Sequence, residues 1–467
     1  MDKVKQKTHT GAVALGIRGS GLEQAGEACL PKPRAADLSI ADCPAESPAR
    51  TKELMEKICE AGNVARALKR VEANKGSYGI DGMKVEALAA FWKENWPVIR
   101  EQLLIGTYQP NPVRRVEIPK ANGGMRKLGI PTVVDRVIQQ AILQVLQVRY
   151  EPTFSQSSYG FRPGRSAQQA VTKAQEYISQ GYSWVVDIDI ENFFDKVNHD
   201  RLMSTLAKRI EDKRLLKIIR AYLNAGVMEN GLVKPTEEGT PQGGNLSPLL
   251  SNIVLDELDK ELGARGHLFV RYADDCNIYV KSLRAGQRVM TSLTAFMTKR
   301  LKLKVNQNKS AVDKPSKRKL LSYSFTNEEK PRVRIAPQAL KRFTVRVRML
   351  TNRHRGISVG KLVRELVVYL RGWMNYFRLC QTPTVLARLD SWISRRIRCY
   401  LWKQWATIAN RATELIKRGV DKINAYRVAC SGKRRWVMSR DKYVQMALPN
   451  AYIRSLGILP LGGFVKA

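Results

Sequence analysis

The apolar residues Leu54, Ile58, Val64, Leu68 and Val71 keep a helical period, and Ser47 stands where an N-cap would open such a helix. Gly76, Gly79 and Gly82 then break the pattern. Over residues 113–118 apolar and polar positions alternate, Asn122, Gly123 and Gly124 supply a turn, and a second extended run passes through Gly129 and Ile130. This predicts a β-hairpin carrying basic residues at its tip. Long apolar helices are predicted over residues 133–148 and 167–178. Residues 183–190 alternate with period two, placing Val185, Asp187 and Asp189 on one face and Trp184, Val186 and Ile188 on the other. Asn198 and Asp200 flank His199 at what reads as a helix start. That gives His199 a structural role, because no second titratable partner lies nearby in sequence. Residues 269–280 read as two short apolar strands with Asp274 and Asp275 at the tip between them.

Outside these segments the composition changes twice. Residues 1 to about 47 are rich in Ala, Gly, Pro and Ser without a sustained apolar period, and read as a disordered leader. From Lys314 onward the chain is mostly basic helix, interleaved with Trp373, Tyr376, Phe377, Trp392, Tyr400, Trp402 and Trp405. A boundary is expected near 312 to 330 and another near 408.

Lysine and arginine number 80 against 42 acidic residues, a formal charge of +38, and the partner that offsets such self-repulsion is a polyanion. An anionic membrane would need an amphipathic basic helix or a lipidation signal, and neither is present; nor is an apolar run of about 18 residues or a signal peptide. A soluble, cytoplasmic protein with no membrane partner is expected. The seven cysteines are scattered and never form CxxC, and the four histidines are unpaired, which argues against zinc-finger and HNH-type nuclease modules.

The chemistry lies in the aspartates. A hairpin holds Asp274 and Asp275 rigidly at its turn, and if residues 183–190 pair beside it, three carboxylates converge. Such a cluster repels itself unless it binds divalent cations, and two Mg²⁺ ions about 4 Å apart are the arrangement that serves in-line phosphoryl displacement. For the first aspartate segment alone, a solvated strand end is an equally good reading.

Neighbouring segments carry a family resemblance. Tyr272-Ala273-Asp274-Asp275 resembles the YxDD box of reverse transcriptases, and Asp189 followed five positions later by Phe194 resembles their first aspartate box, which selects Asp189 over Asp187. Residues 239–248, GTPQGGNLSP, resemble the family's PQGxxxSP segment. RVEIPK at 115–120, Arg126 with LGIPT at 128–132, SYGFRP at 158–163, LKVN at 303–306 with Lys309 and Ser310, and YLRGWMNYF at 369–377 are similar to bacterial group II intron-encoded reverse transcriptases. The last of these resembles their maturase-specific X, or thumb, segment. The sequence departs where Leu321-Ser322-Tyr323 replaces the family's Leu-Gly-Phe. With no Cys/His cluster after the thumb, the chain is similar to the endonuclease-lacking group IIC lineage.

The resemblance implies an α+β multidomain right-hand polymerase: fingers and palm over 48–312, a helical thumb over 313–408 and a small basic DNA-binding region over 409–467. It implies Asp189 and Asp274 as ligands of both metals and Asp275 as a support or outer ligand. Lys120 and Arg126 would grip the triphosphate, Phe194 crowd the sugar 2′ position, Gln242 support the nucleotide pocket and Lys309 protonate pyrophosphate. Arg371, Arg378, Arg395, Arg396 and Arg398 are expected as a nucleic-acid-binding face, whereas the aromatic residues among them are expected as core. The implied partners are group II intron RNA, an RNA template with DNA or RNA primer, target DNA and deoxynucleoside triphosphates. The implied work is RNA-directed DNA synthesis, maturase assistance to splicing, and retrohoming by target-primed reverse transcription. Two further readings stand beside it: a free-standing reverse transcriptase for repair or defence, and a non-catalytic RNA-binding splicing cofactor.

Overall fold

A computed structural model describes residues 52–119, 124–229, 232–234, 238–240 and 243–462. Its strands, in chain order, are β1 (Val113–Pro119), β2 (Met125–Ile130), β3 (Trp184–Ile188), β4 (Val227–Glu229), β5 (Leu232–Lys234), β6 (Leu268–Tyr272), β7 (Asp275–Val280), β8 (Ala311–Asp313), β9 (Tyr323–Phe325) and β10 (Val333–Ile335). The predicted hairpin is β1–β2, with Arg114 opposite Ile130 and Pro119 opposite Met125. It joins β4 and β5 in a sheet of order β2-β1-β4-β5. The central sheet has the order β6-β7-β3-β8 and is antiparallel throughout.

Period-two alternation decides which core each central strand feeds. Val186, Ile188, Phe269 and Ile278 enter one hydrophobic cluster with the helices Ala61–Asn74, Val133–Tyr150 and Ser247–Ala264. Val185, Val270 and Tyr279 face the other way, into a second cluster built mainly from the chain beyond Leu320. The sheet is therefore covered on both faces, which accounts for its nearly continuous apolar strands. Side-chain caps set the helix starts: Thr132 accepts from the Asp135 N–H, Ser166 forms a capping box with Gln169, and Asn198 accepts from the Arg201 N–H.

The second cluster continues through the helices Pro337–Leu350, Val359–Tyr376 and Pro383–Gln404, where Phe343 and Trp373 meet with ring centroids 4.2 Å apart. It runs on without a break to Leu415, Val444, Ile453 and Leu461. Trp373, Phe377, Tyr400, Trp402 and Trp405 are buried in it, as the helical spacing of the aromatics predicts.

Three local features differ from, or refine, the sequence reading. The first helical pattern is two helices, Leu54–Ile58 and Ala61–Asn74, because the buried Asn63 amide donates to the Ile58 carbonyl at 3.0 Å and to the Ala141 carbonyl at 3.1 Å, ending the first helix there. Leu321 and Ser322 both adopt left-handed backbone, at φ 50° and 67°, which explains why glycine suits this turn. Among the described residues, the five cysteines are free thiols, and no helix is long and apolar enough to cross a membrane.

Candidate active site

Strand β3 pairs with β7 so that Asp187 faces Asn277 and Ile188 faces Cys276, a register that carries Asp189 opposite Asp275. Strands β6 and β7 close with Tyr272 opposite Asp275, leaving Ala273 and Asp274 as the turn. The three expected carboxylates thus meet at one end of the central sheet. The Asp189 backbone is held from its other side: its N–H donates to Ser310 Oγ at 3.0 Å, and its carbonyl accepts from the Asn306 N–H at 2.9 Å.

An ion pair with Arg318 distinguishes Asp187 from the others. Arg318 donates to Asp187 Oδ2 through Nε at 2.9 Å and Nη2 at 2.6 Å, and through Nη2 to the Lys309 carbonyl at 2.5 Å. Asp189 has a looser partner, with Lys309 Nζ at 3.6 Å from Oδ1 on a side chain that is 67 % exposed. Burial raises the Asp274 carboxyl above its ordinary value and Asp189 pushes it further, while Arg126 and Lys309 pull it down. Asp275 keeps an open edge, yet lost hydration and the charges of Asp274, Asp187 and Asp189 push it up to about 7. Among the described residues no three His, Cys, Asp or Glu side chains close into a metal cage. The raised carboxyls are the chemistry a divalent cation would relieve.

Arg126 sits on β2 opposite Ile118, with its charge reaching Asp274. Phe194 is half-buried edge-on to Phe193, and its carbonyl accepts from the Thr240 N–H at 2.6 Å. His199 is buried; its Nε2 lies 2.6 Å from the Gly239 carbonyl and its Nδ1 3.2 Å from Asn224 Oδ1. Gly239 has φ 95°, and a Cβ there would come 2.8 Å from the Asp195 backbone. His199 thus seats the 238–240 segment against the residues after Asp189. Lys120 and Gln242 lie outside the described residues.

Residues 118–325 match the reverse transcriptase (RNA-dependent DNA polymerase) family, and residues 340–419 match the group II intron maturase-specific domain. Protein YkfC of Escherichia coli (strain K12) is 32% identical over 303 residues, which make up 56% of this chain and 80% of that protein. The chain belongs to the group II intron reverse transcriptase family. This reverse transcriptase is also similar to the group II intron-encoded protein LtrA of Lactococcus lactis, at 41% identity over 42% of this chain and 32% of that protein. An uncharacterised 91 kDa protein in the cob intron of Schizosaccharomyces pombe is 36% identical over 39% of this chain and 21% of its own length. The chain thus spans most of YkfC but only about a third of LtrA. Its enzyme class is RNA-directed DNA polymerase, a nucleotidyltransferase of the divalent-metal kind.

The basic face expected on the reverse transcriptase needs correction at three positions. Arg396 donates to Thr351 Oγ1 at 2.9 Å and to the Thr351 and Arg348 carbonyls at 3.1 and 3.2 Å. Arg398, 7% exposed, donates to the Leu448 carbonyl at 2.8 Å and Asn450 Oδ1 at 2.7 Å. Arg395 donates to Ser439 Oγ at 3.1 Å and the Trp436 carbonyl at 2.7 Å, and stacks 3.7 Å over the Trp436 ring. Each arginine serves the C-terminal end of a different helix, Pro337–Leu350, Lys442–Ala447 or Arg435–Met438, where carbonyls lack intrahelical donors. Arg371 and Arg378 are exposed. Sequence reasoning also missed Arg318, which nothing local marks as different from Lys317 and Lys319, and the buried Arg271, whose place as the single cation of the apolar strand β6 was the available signal.

Proposed function

We propose that this reverse transcriptase copies RNA into DNA at a centre where Asp189 and Asp274 hold two Mg²⁺ ions and Asp275 supports them. It would also serve as the maturase of a group II intron. The observation that supports the first part is the convergence of Asp189, Asp274 and Asp275 at one sheet end, with Asp187 beside them paired to Arg318. When bound, the ions supply a lowered pKa for the primer 3′ hydroxyl and charge neutralisation on the departing pyrophosphate. The chain's own residues orient the reactants. Arg126, with Lys120, grips the triphosphate; Phe194 crowds the sugar 2′ position; Gln242 supports the nucleotide. The primer oxygen bonds to the α-phosphorus as the bond to pyrophosphate breaks, and Lys309 offers a proton to that leaving group.

The substrates on this reading are deoxynucleoside triphosphates and an RNA template carrying a DNA or RNA primer. Its partners are intron RNA and, in retrohoming, target DNA. Residues 48–312 act as fingers and palm, 313–408 as thumb, and 409–467 as a basic segment toward DNA.

Primer extension on RNA with Mg²⁺ tests the centre: Asp274→Ala should abolish DNA synthesis, and Phe194→Ala should retain it while admitting ribonucleotides. Equal synthesis by Asp274→Ala and the parent removes the catalytic assignment. Splicing of the RNA flanking the reading frame, at Mg²⁺ too low for self-splicing, tests the maturase role. Protein-dependent splicing that survives Asp274→Ala is expected; no stimulation alongside normal extension leaves a free-standing reverse transcriptase.

A further inference from the structure

Arg271 stands on β6, three residues before Asp274, and is completely buried. A guanidinium has five N–H donors, and here each has an acceptor. Nε and Nη2 donate to the two Asp259 oxygens at 2.7 and 2.6 Å, Nη2 also donates to Ser158 Oγ at 2.8 Å, and Nη1 donates to Asn252 Oδ1 and to the Ala273 carbonyl, both at 3.0 Å. Asn252 turns its amide onto the Gly160 carbonyl at 2.9 Å. Gly160 in turn backs the turn so closely that a Cβ would fall 2.3 Å from the Ala273 nitrogen and 2.9 Å from the Tyr272 carbonyl carbon.

The object of this frame is a strained residue. Ala273 has φ 54°, a left-handed conformation that costs an L-residue roughly 1–2 kcal/mol. The strain falls in the two-residue turn that presents Asp274. A buried ion pair rarely stabilises a fold more than well-packed apolar side chains of the same volume. The arrangement at Arg271 does something apolar residues cannot: it donates a directed hydrogen bond to the carbonyl adjoining Asp274.

We propose that Arg271, oriented by Asp259 and Asn252, is a positioning residue of the polymerase centre, fixing the Ala273 carbonyl and thereby the direction in which Asp274 is presented. The proposal rests on the reading of Asp274 as a metal ligand. It also gives the SYGFRP segment a purpose: Ser158 and Gly160 are the far side of the frame.

Arg271→Lys keeps a charge opposite Asp259 but lacks the second nitrogen that reaches Ala273. Two measurements are made on folded, purified full-length protein with the parent and Asp274→Ala as controls. Steady-state extension should show kcat down on the order of 10²-fold, the effect of a misplacement of about 1 Å, with the nucleotide KM little changed and the Mg²⁺ midpoint raised. Electron paramagnetic resonance should show weakened Mn²⁺ binding to the protein on a dideoxy-terminated primer and RNA template, without turnover. Unchanged kcat per folded molecule and unchanged Mn²⁺ affinity overturn the positioning role. Should Arg271→Lys not fold, Asn252→Ala, which leaves the Arg271 to Asp259 pair in place, is read the same way, and the same two unchanged values overturn it. If Asp274→Ala itself binds Mn²⁺ and polymerises normally, the metal-centre reading falls and this proposal with it. If Asp274→Ala loses both while the Arg271 and Asn252 variants match the parent, only the positioning role falls.

Discussion

At the scale of single residues, the aspartate cluster makes stability depend on pH and on divalent cation together. The Asp275 carboxyl moves from an ordinary 3.8 to about 7 in the folded chain. Between those values the native protein holds a proton that the unfolded chain has released, so folding stability falls as pH rises across that window. The deficit is complete above about pH 7. Mg²⁺ should therefore raise the unfolding temperature at pH 8 by roughly 2–4 °C, the shift that about 1 kcal/mol produces in a large domain. The increment should shrink at pH 5, and differential scanning fluorimetry with and without chelator reads both. Asp275→Asn should raise the metal-free unfolding temperature at pH 8 and flatten its pH dependence. An equal Mg²⁺ effect at both pH values would contradict the electrostatic account.

At the scale of elements, Arg395, Arg396 and Arg398 of the helix Pro383–Gln404 are committed within the fold, whereas Arg371 of the helix Val359–Tyr376 faces outward. Arg398→Ala removes a buried donor from the Leu448 carbonyl and from Asn450. It should cost about 1–3 kcal/mol, read in urea unfolding, with little change in the salt dependence of RNA binding. Arg371→Ala, on the exposed face of the helix Val359–Tyr376, should do the reverse. The sequence made most elements legible because their signals are local. The β1–β2 hairpin, the helices at 133–150 and 167–179, the Asn198 cap and the alternation that brings Asp189 beside the 269–280 hairpin all follow from period and turn chemistry. What it hid depends on distant neighbours. Arg396 meets Thr351 across 45 positions and Arg271 meets Ser158 across 113, and on a basic helix a guanidinium committed inside the fold has the same local signature as one aimed at phosphate. The broken first helix was hidden for the same reason, since Asn63 ends it with help from Ala141.

For the whole molecule, the two cores on either face of the central sheet tie the polymerase centre to everything that follows it. Val185, Val270 and Tyr279 share a cluster with Phe343, Trp373, Trp402 and, further on, Leu415, Val444 and Leu461. Truncation after Gln404 should therefore do more than trim a basic tail. It should uncover the Leu386, Ile393 and Trp402 face and yield a protein that aggregates or unfolds at lower temperature. A truncated chain with unaltered cooperative unfolding would show instead that the segment is energetically separate. The three helix ends capped by Arg395, Arg396 and Arg398 bear on how such a chain tolerates change in length. One helix is the shared axle of three others, and each residue added to or removed from it turns everything downstream by about 100°. A single deletion between Leu389 and Arg395 would pull all three caps out of register at once. A change of length should therefore be tolerated in the connections between helices and not within this one.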